Sequence, residues 1–105
     1  MTMSAKSRRK GARAELALVH LLQENGFAAE KISGMYKRGP DLSVPLLGVD
    51  RSIESKIRKR SFARLYRWLD GADLPVVRDD RQPLLVIVPI RLALEIAKAA
   101  EKAPR

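Results

Sequence analysis

The sequence predicts a small α/β domain in which helices flank a central, mixed β-sheet, in the element order α-β-β-β-α-β-β-α. Helical patterns occupy residues 11–25, 61–70 and 91–103, and short apolar or β-branched runs lie between them. A chain of 105 residues has room for one hydrophobic core. We therefore expect a single domain over residues 11–105, preceded by a flexible basic arm over residues 1–10.

The sequence marks the ends of the first two helices. Gly26 follows the first helix, Ser61 can cap the start of the second, and Gly71 follows its end. The second helix has an apolar face whose members recur at the spacing of buried positions: Phe62, Leu65, Tyr66 and Leu69. Trp68 is likewise expected to pack inside the protein rather than to stack on bases.

Five strands are expected, over residues 27–33, 41–47, 51–58, 74–78 and 84–90. Pro45 indicates an edge or a bulge near the end of the second strand, and residues 48–50 form the turn into the third. The last run is almost continuously apolar, as in a strand buried on both faces. The helix after the third strand supplies the crossover that a parallel neighbour requires, so the expected sheet is mixed.

Composition excludes several classes of protein. The chain has no cysteine, which rules out disulfides and thiolate metal sites and fits a reducing interior. No apolar run approaches the ~20 residues of a membrane span, and no apolar signal core follows the basic N-terminus. The expectation is an intracellular, cytoplasmic protein without a membrane segment.

Positive charge is the strongest compositional signal. Lys and Arg number 21 against 12 Asp and Glu, a formal net charge of +9 that attracts polyanions, most often nucleic acid. The charge is clustered in two groups. These are Lys6, Arg8, Arg9, Lys10 and Arg13, and then Arg51, Lys56, Arg58, Lys59, Arg60, Arg64 and Arg67.

Three acids and a lysine could carry chemistry. On an extended segment Glu54 and Lys56 project to one side and Ile53 and Ile57 to the other. If the second and third strands form a hairpin, Asp41 approaches Glu54, and two converging carboxylates call for a divalent cation between them. The ordinary alternatives are a solvated strand face for Glu54 and Lys56, and a turn aspartate at position 41.

Glu15 adds an independent observation. It falls on the same face of the first helix as Leu18, Val19 and Leu22, where a carboxylate costs several kcal/mol unless a cation or donors compensate it. A partly exposed glutamate near the start of the helix explains the position equally well. His20 lies on the polar face of the helix and is expected to be solvated.

These residues resemble a known family. A helix with Lys10-Gly11 and Glu15, then Gly39-Pro40-Asp41, then Glu54-Ser55-Lys56 and another helix, is similar to the PD-(D/E)XK nuclease superfamily. Within it, residues 8–90 look most like the Holliday-junction resolvases of archaea and their viral and bacterial relatives. The resemblance implies a restriction-endonuclease-like core and hydrolysis of DNA by water.

The resemblance also implies roles for individual residues. Asp41 and Glu54 would hold Mg²⁺, which Mn²⁺ can replace, with the backbone carbonyl of Ser55. Glu15 would reach the metal directly or through water. Lys56 would position or activate the attacking water and offset charge on the phosphate. Ser33 stands where resolvases place an active-site serine, although serine before glycine is also ordinary turn chemistry.

The expected activity is a Mg²⁺-dependent endodeoxyribonuclease of recombination and repair that cuts branched DNA as a homodimer. Two alternatives remain: a non-catalytic DNA-binding module on the same fold, and a nuclease of the same fold with other DNA substrates. The expected DNA contacts are basic residues of the arm, of the loop before Asp41 and of the segment after Lys56. They are Lys6, Arg8, Arg9, Lys10, Arg13, Lys37, Arg38, Arg58, Lys59 and Arg60.

Overall fold

The computed structural model describes residues 5–32 and 40–103, within which lie three helices and five strands. The order is α1 Ala5–Glu24, β1 Glu30–Lys31, β2 Leu42–Leu46, β3 Val49–Ile53, α2 Ala63–Gly71, β4 Val76–Val77, β5 Leu85–Val86 and α3 Ile90–Lys102. This confirms a small α/β protein with the expected order of elements. Ser33, Lys37 and Arg38 lie outside the described residues. The chain divides into two compact units, Met1–Ile57 and Arg58–Arg105, which are described separately.

Helix α1 begins at Ala5, so residues 5–10 of the expected flexible arm are helical. Ala, Lys and Arg are good helix formers, and their propensity favours a helix here although the like charges of Lys6 and Lys10, four residues apart, oppose it. The C-terminus is a Schellman motif: the Phe27 N–H bonds the Leu22 carbonyl, and Gly26 N–H bonds the Gln23 carbonyl. Gly26 takes φ +89°, which confirms it as the residue that ends the helix.

Strands β1, β2 and β3 form an antiparallel sheet in that order. Leu47 and Gly48 have φ values of +55° and +78°, as in the two-residue hairpin turns that match strand twist. The turn therefore falls at residues 47–48 instead of 48–50, and β3 runs over Val49–Ile53 instead of 51–58. Glu54 and Lys56 consequently follow the strand and do not belong to it.

The core of the first unit lies between α1 and the sheet. Its buried apolar residues are Val19, Leu22, Ala29, Leu42 and Val44. Leu42 has no exposed surface, and the alternation along β2 confirms that Leu42 and Val44 face inward. Ile57, expected to project from the strand on the side opposite Glu54 and Lys56, lies beyond the end of β3 and is 42% exposed.

The second unit contains α2, a β4–β5 hairpin and α3. The two strands pair antiparallel in a sheet of their own, so the described strands form two antiparallel sheets where one mixed sheet was expected. Segment 84–90 is not a buried strand: Leu85 is 64% exposed, and Ile90 already belongs to α3. Pro89 lacks an N–H for a strand ladder and immediately precedes the first turn of α3.

Three further expectations about the second unit are wrong. Phe62, not Ser61, is the N-cap residue of α2, and no side chain caps this helix. Tyr66 is 70% exposed and Trp68 is 40% exposed, so neither is a core residue. Leu94 of α3 is the buried hydrophobic residue among those described in this unit.

In the part of the chain that the structure describes, no helix has the length and apolarity needed to cross a membrane.

Candidate functional site

Asp41 stands where the three strands of the first sheet meet. Its backbone N–H donates to the Ile53 carbonyl at the end of β3 (2.8 Å), and its carbonyl accepts from the Ile32 N–H just after β1 (2.9 Å). The residue is half-buried. Bonds to both neighbouring segments fix the backbone at position 41, so its side chain starts from a rigid point at the open end of the hairpin.

The Asp41 carboxylate reaches the segment after β3. The backbone N–H of Ser55 donates to Asp41 Oδ2 at 2.7 Å, a length typical of charge-assisted hydrogen bonds. This N–H belongs to the peptide that joins Glu54 to Ser55, so the carboxylate lies against the Glu54–Ser55 peptide. A carboxylate has about four acceptor sites, and one such bond leaves capacity for further ligands.

Glu54 and Lys56 meet directly beyond the strand. Lys56 Nζ lies 2.9 Å from Glu54 Oε1, and the two side chains are 53% and 52% exposed. The two side chains therefore lie side by side, although an irregular segment presents them and not the expected strand. A pair this exposed contributes about 0–1 kcal/mol, so a cation or a phosphate can open it at little cost.

Glu15 has a different partner. Its Oε2 lies 3.6 Å from Lys31 Nζ, and its side chain is 23% exposed against 49% for that of Lys31. The lysine of β1 therefore supplies the cation that a glutamate on the inner side of α1 needs. Sequence reasoning missed Lys31. Its place on the strand that follows α1 could have indicated it, because α1 and β1 are neighbours in the fold.

The expected site residues thus fall into two groups. Asp41, Ser55, Glu54 and Lys56 form one cluster at the open end of the hairpin, joined by the Asp41–Ser55 hydrogen bond and the Glu54–Lys56 ion pair. Glu15 is paired with Lys31. Among residues 5–32 and 40–103, no group of three or more His, Asp or Glu side chains forms a ready cation site.

The chemistry of the hairpin cluster fits a hard divalent cation. Two carboxylates and a backbone carbonyl are oxygen ligands, which Mg²⁺ prefers and usually supplements with water. The Ser55 N–H already binds the Asp41 carboxylate, and the Ser55 carbonyl belongs to the next peptide of the same segment. Glu54 would exchange its bond to Lys56 for the metal, and Glu15 would have to leave Lys31 to take part.

The described basic residues expected to contact DNA lie in both units. Lys6, Arg9, Lys10 and Arg13 recur at three- to four-residue spacing on α1, are exposed, and form a stripe about 10 Å long. Arg8 is also exposed on this helix. In the second unit, Arg58, Lys59 and Arg60 occupy the exposed segment before α2.

Comparison with known proteins gives no match: no family model, no curated protein and no solved structure is significantly similar to this chain.

Proposed function

We propose that the chain is a metal-dependent DNA endonuclease that hydrolyses phosphodiester bonds of branched DNA, on a restriction-endonuclease-like core. The observation that carries the proposal is the 2.7 Å hydrogen bond from the Ser55 N–H to Asp41 Oδ2. It joins Asp41 to the Glu-Ser-Lys segment 14 residues later, and the proposed hydrolysis needs these residues side by side.

Asp41, Glu54 and the Ser55 carbonyl would hold the cation, Mg²⁺ or Mn²⁺. The cation would neutralise phosphate charge and make water a better nucleophile. In the reaction, a water oxygen bonds to phosphorus in line with the leaving oxygen, and one P–O ester bond breaks.

Lys56 is the proposed group at the scissile phosphate. It is half-exposed, carries three donors, and already lies 2.9 Å from a carboxylate oxygen at the cluster. An ammonium in this position can bind a phosphate oxygen or orient the attacking water once Glu54 turns to the cation. Glu15 is proposed as a further acid of the site, held by Lys31 in the structure.

The net charge of +9 and the stripe on α1 support DNA as the substrate. Symmetric nicking of a four-way junction requires two active sites, so the proposed working form is a homodimer. Cleavage of a labelled four-way junction, compared with a linear duplex of the same sequence in Mg²⁺ at moderate salt, tests the substrate. We expect paired nicks in the junction and little cleavage of the duplex. Equal cleavage of both substrates would indicate a nuclease with other DNA substrates.

One observation favours a second function, a DNA-binding module without catalysis. Glu15 and Glu54 are each paired with a lysine, and the described residues contain no ready three-group cation site. A protein of this kind would bind junctions equally well with Mg²⁺ or with EDTA and leave every strand intact.

A further inference from the structure

The second unit contains a cleft outside the residues assigned to hydrolysis. It has a volume of about 850 Å³ and lies between α2 and the β4–β5 hairpin. Its lining includes Trp68, Val76, Arg78, Asp79, Gln82 and Leu85. This volume is within the range of about 300–1,000 Å³ typical of small-molecule sites.

The apolar part of this cleft is accessible to solvent. Trp68 is 40% exposed, and Val76 and Leu85 are 60% and 64% exposed. Trp68 is the only tryptophan of the chain. An indole in an open cleft with an apolar floor offers a flat surface on which another ring can stack.

The polar part of the cleft comes from the connection between β4 and β5. Arg78 carries a planar guanidinium that donates hydrogen bonds, and Asp79 carries a carboxylate that accepts them. Gln82 carries an amide that can do both. A hydrogen bond of 3.1 Å from the Gln82 N–H to the Asp79 carbonyl closes the turn, and Arg81 takes φ +64° within it. The polar groups therefore stand on a defined turn.

Together these features select a planar ligand with a polar edge. A fully apolar ligand would leave the guanidinium, the carboxylate and the amide without partners. A bare phosphate would gain Arg78 but would lie beside the Asp79 carboxylate and leave the indole unused. A nucleobase satisfies both parts, because its face stacks on an aromatic ring and its edge exchanges hydrogen bonds with Asp, Gln and Arg.

The net positive charge of the second unit favours a nucleobase that belongs to a strand. Residues 58–103 contain ten Lys and Arg against six Asp and Glu. Arg64 lies one turn before Trp68 on α2 and is exposed, so it can contact a phosphate beside a stacked base.

We propose that this cleft binds an unpaired nucleobase of a DNA strand, stacked on Trp68 with its edge read by Asp79 and Gln82. The proposal rests on the proposed function only for the class of ligand, which is DNA. It adds that the preferred substrate exposes unpaired bases, as a strand end, a gap or an opened branch point does.

Fluorescence of Trp68 tests the proposal directly, because the chain has no other tryptophan. The full chain is titrated in EDTA, so that no strand is cut, with a 12-nucleotide single strand, with the blunt duplex of the same sequence, and with dAMP. We expect the single strand to quench Trp68 and to bind about tenfold more tightly than dAMP, while the duplex leaves the emission unchanged. Equal quenching by duplex and single strand, or saturation by dAMP at the same concentration as the oligonucleotide, would overturn the proposal.

Variants separate stacking from general DNA affinity. Anisotropy of a labelled single strand is expected to show about tenfold weaker binding for Trp68→Ala, near-normal binding for Trp68→Phe, and a severalfold loss for Gln82→Ala. Tyr66→Ala is the matched control, since Tyr66 is an exposed aromatic residue of α2 that does not line the cleft. If Trp68→Ala does not fold, Gln82→Ala on the exposed turn still decides. Unchanged affinity in Gln82→Ala, together with unquenched emission in the wild type, contradicts the proposal.

The result is independent of catalysis. Quenching by single strands without cleavage in Mg²⁺ would keep the base-binding cleft and reject the nuclease. Cleavage in Mg²⁺ without quenching would keep the nuclease and reject the base-binding cleft.

Discussion

The backbone N–H of Ser55 donates a 2.7 Å hydrogen bond to Oδ2 of Asp41, which is 14 residues earlier in the chain. The bond fixes the irregular segment that carries Glu54 and Lys56 to the first residue before β2. It also gives the Asp41 carboxylate two tasks, since the same group that organises the segment is proposed to bind the cation.

Loss of the Asp41 acceptor should destabilise the first unit. Asp41→Ala leaves the half-buried Ser55 N–H without its partner, so we expect the free energy of unfolding to fall by about 1–2 kcal/mol. Asp41→Asn keeps an acceptor oxygen and should cost less. Urea denaturation followed by circular dichroism measures both changes. Asp50→Ala, at an exposed position of β3, is the control and should lie within about 0.5 kcal/mol of the wild type.

Lys31 should compete with the metal for Glu15. Because Lys31 Nζ lies 3.6 Å from Glu15 Oε2, its removal frees the carboxylate, and Lys31→Gln should bind Mn²⁺ severalfold more tightly. The stability of the protein should change by less than about 1 kcal/mol, since the lysine is half-exposed. Electron paramagnetic resonance of free Mn²⁺ measures the binding. Lys98→Gln on α3 is the control, and equal affinities in the two variants would remove Glu15 from the proposed site.

Two glycines of the first unit should respond in opposite directions. Gly26→Ala places a side chain at φ +89° and should lower the free energy of unfolding by about 1–2 kcal/mol. Gly11→Ala lies inside α1 with no atom within 4 Å of the new methyl group, and should raise it by about 0.5–1 kcal/mol. Thermal denaturation of the two variants tests whether α1 includes residue 11. Destabilisation by Gly11→Ala would contradict a helix that starts at Ala5.

The stripe on α1 should contribute to DNA affinity through phosphates. If Lys10 and Arg13 each contact one phosphate, the double variant Lys10→Gln/Arg13→Gln should reduce the slope of log K against log salt by about 1.8. A filter-binding titration at several salt concentrations measures the slope. Arg91 is an exposed basic residue of α3 and lies outside the stripe. Arg91→Gln is therefore the comparison variant and should leave the slope unchanged.

Local chemistry made the first unit largely predictable. Gly26 ends α1 because glycine readily adopts the positive φ that a Schellman motif requires. Leu42 and Val44 face inward because residues alternate along a strand. The hairpin that joins Asp41 to the Glu54 segment was also predicted, but the turn was placed one residue too late. Glu54 and Lys56 were wrongly included in β3, which ends at Ile53 because its partner strand begins opposite it at Leu42.

Tertiary contacts explain what sequence patterns missed. The apolar run at 84–90 has the pattern of a buried strand. Only two of its residues pair with β4, and Pro89 has no backbone N–H to donate. Sequence patterns did not indicate Lys31 because its ion pair is with Glu15, which is distant in sequence and close only in the fold. Trp68 was expected to pack inside the protein, as a large aromatic residue usually does, but it lines a cleft and remains 40% exposed.

Single-turnover cleavage of a four-way junction by Asp41→Asn and Asp50→Asn, side by side with the wild type, tests the central claim most directly. The two substitutions make the same chemical change, one at the proposed metal ligand and one on the exposed face of β3. We expect the wild type and Asp50→Asn to nick the junction in Mg²⁺ and not in EDTA, and Asp41→Asn to bind it without cutting. Cleavage by Asp41→Asn at the rate of Asp50→Asn, or the absence of cleavage by the wild type, would contradict the account.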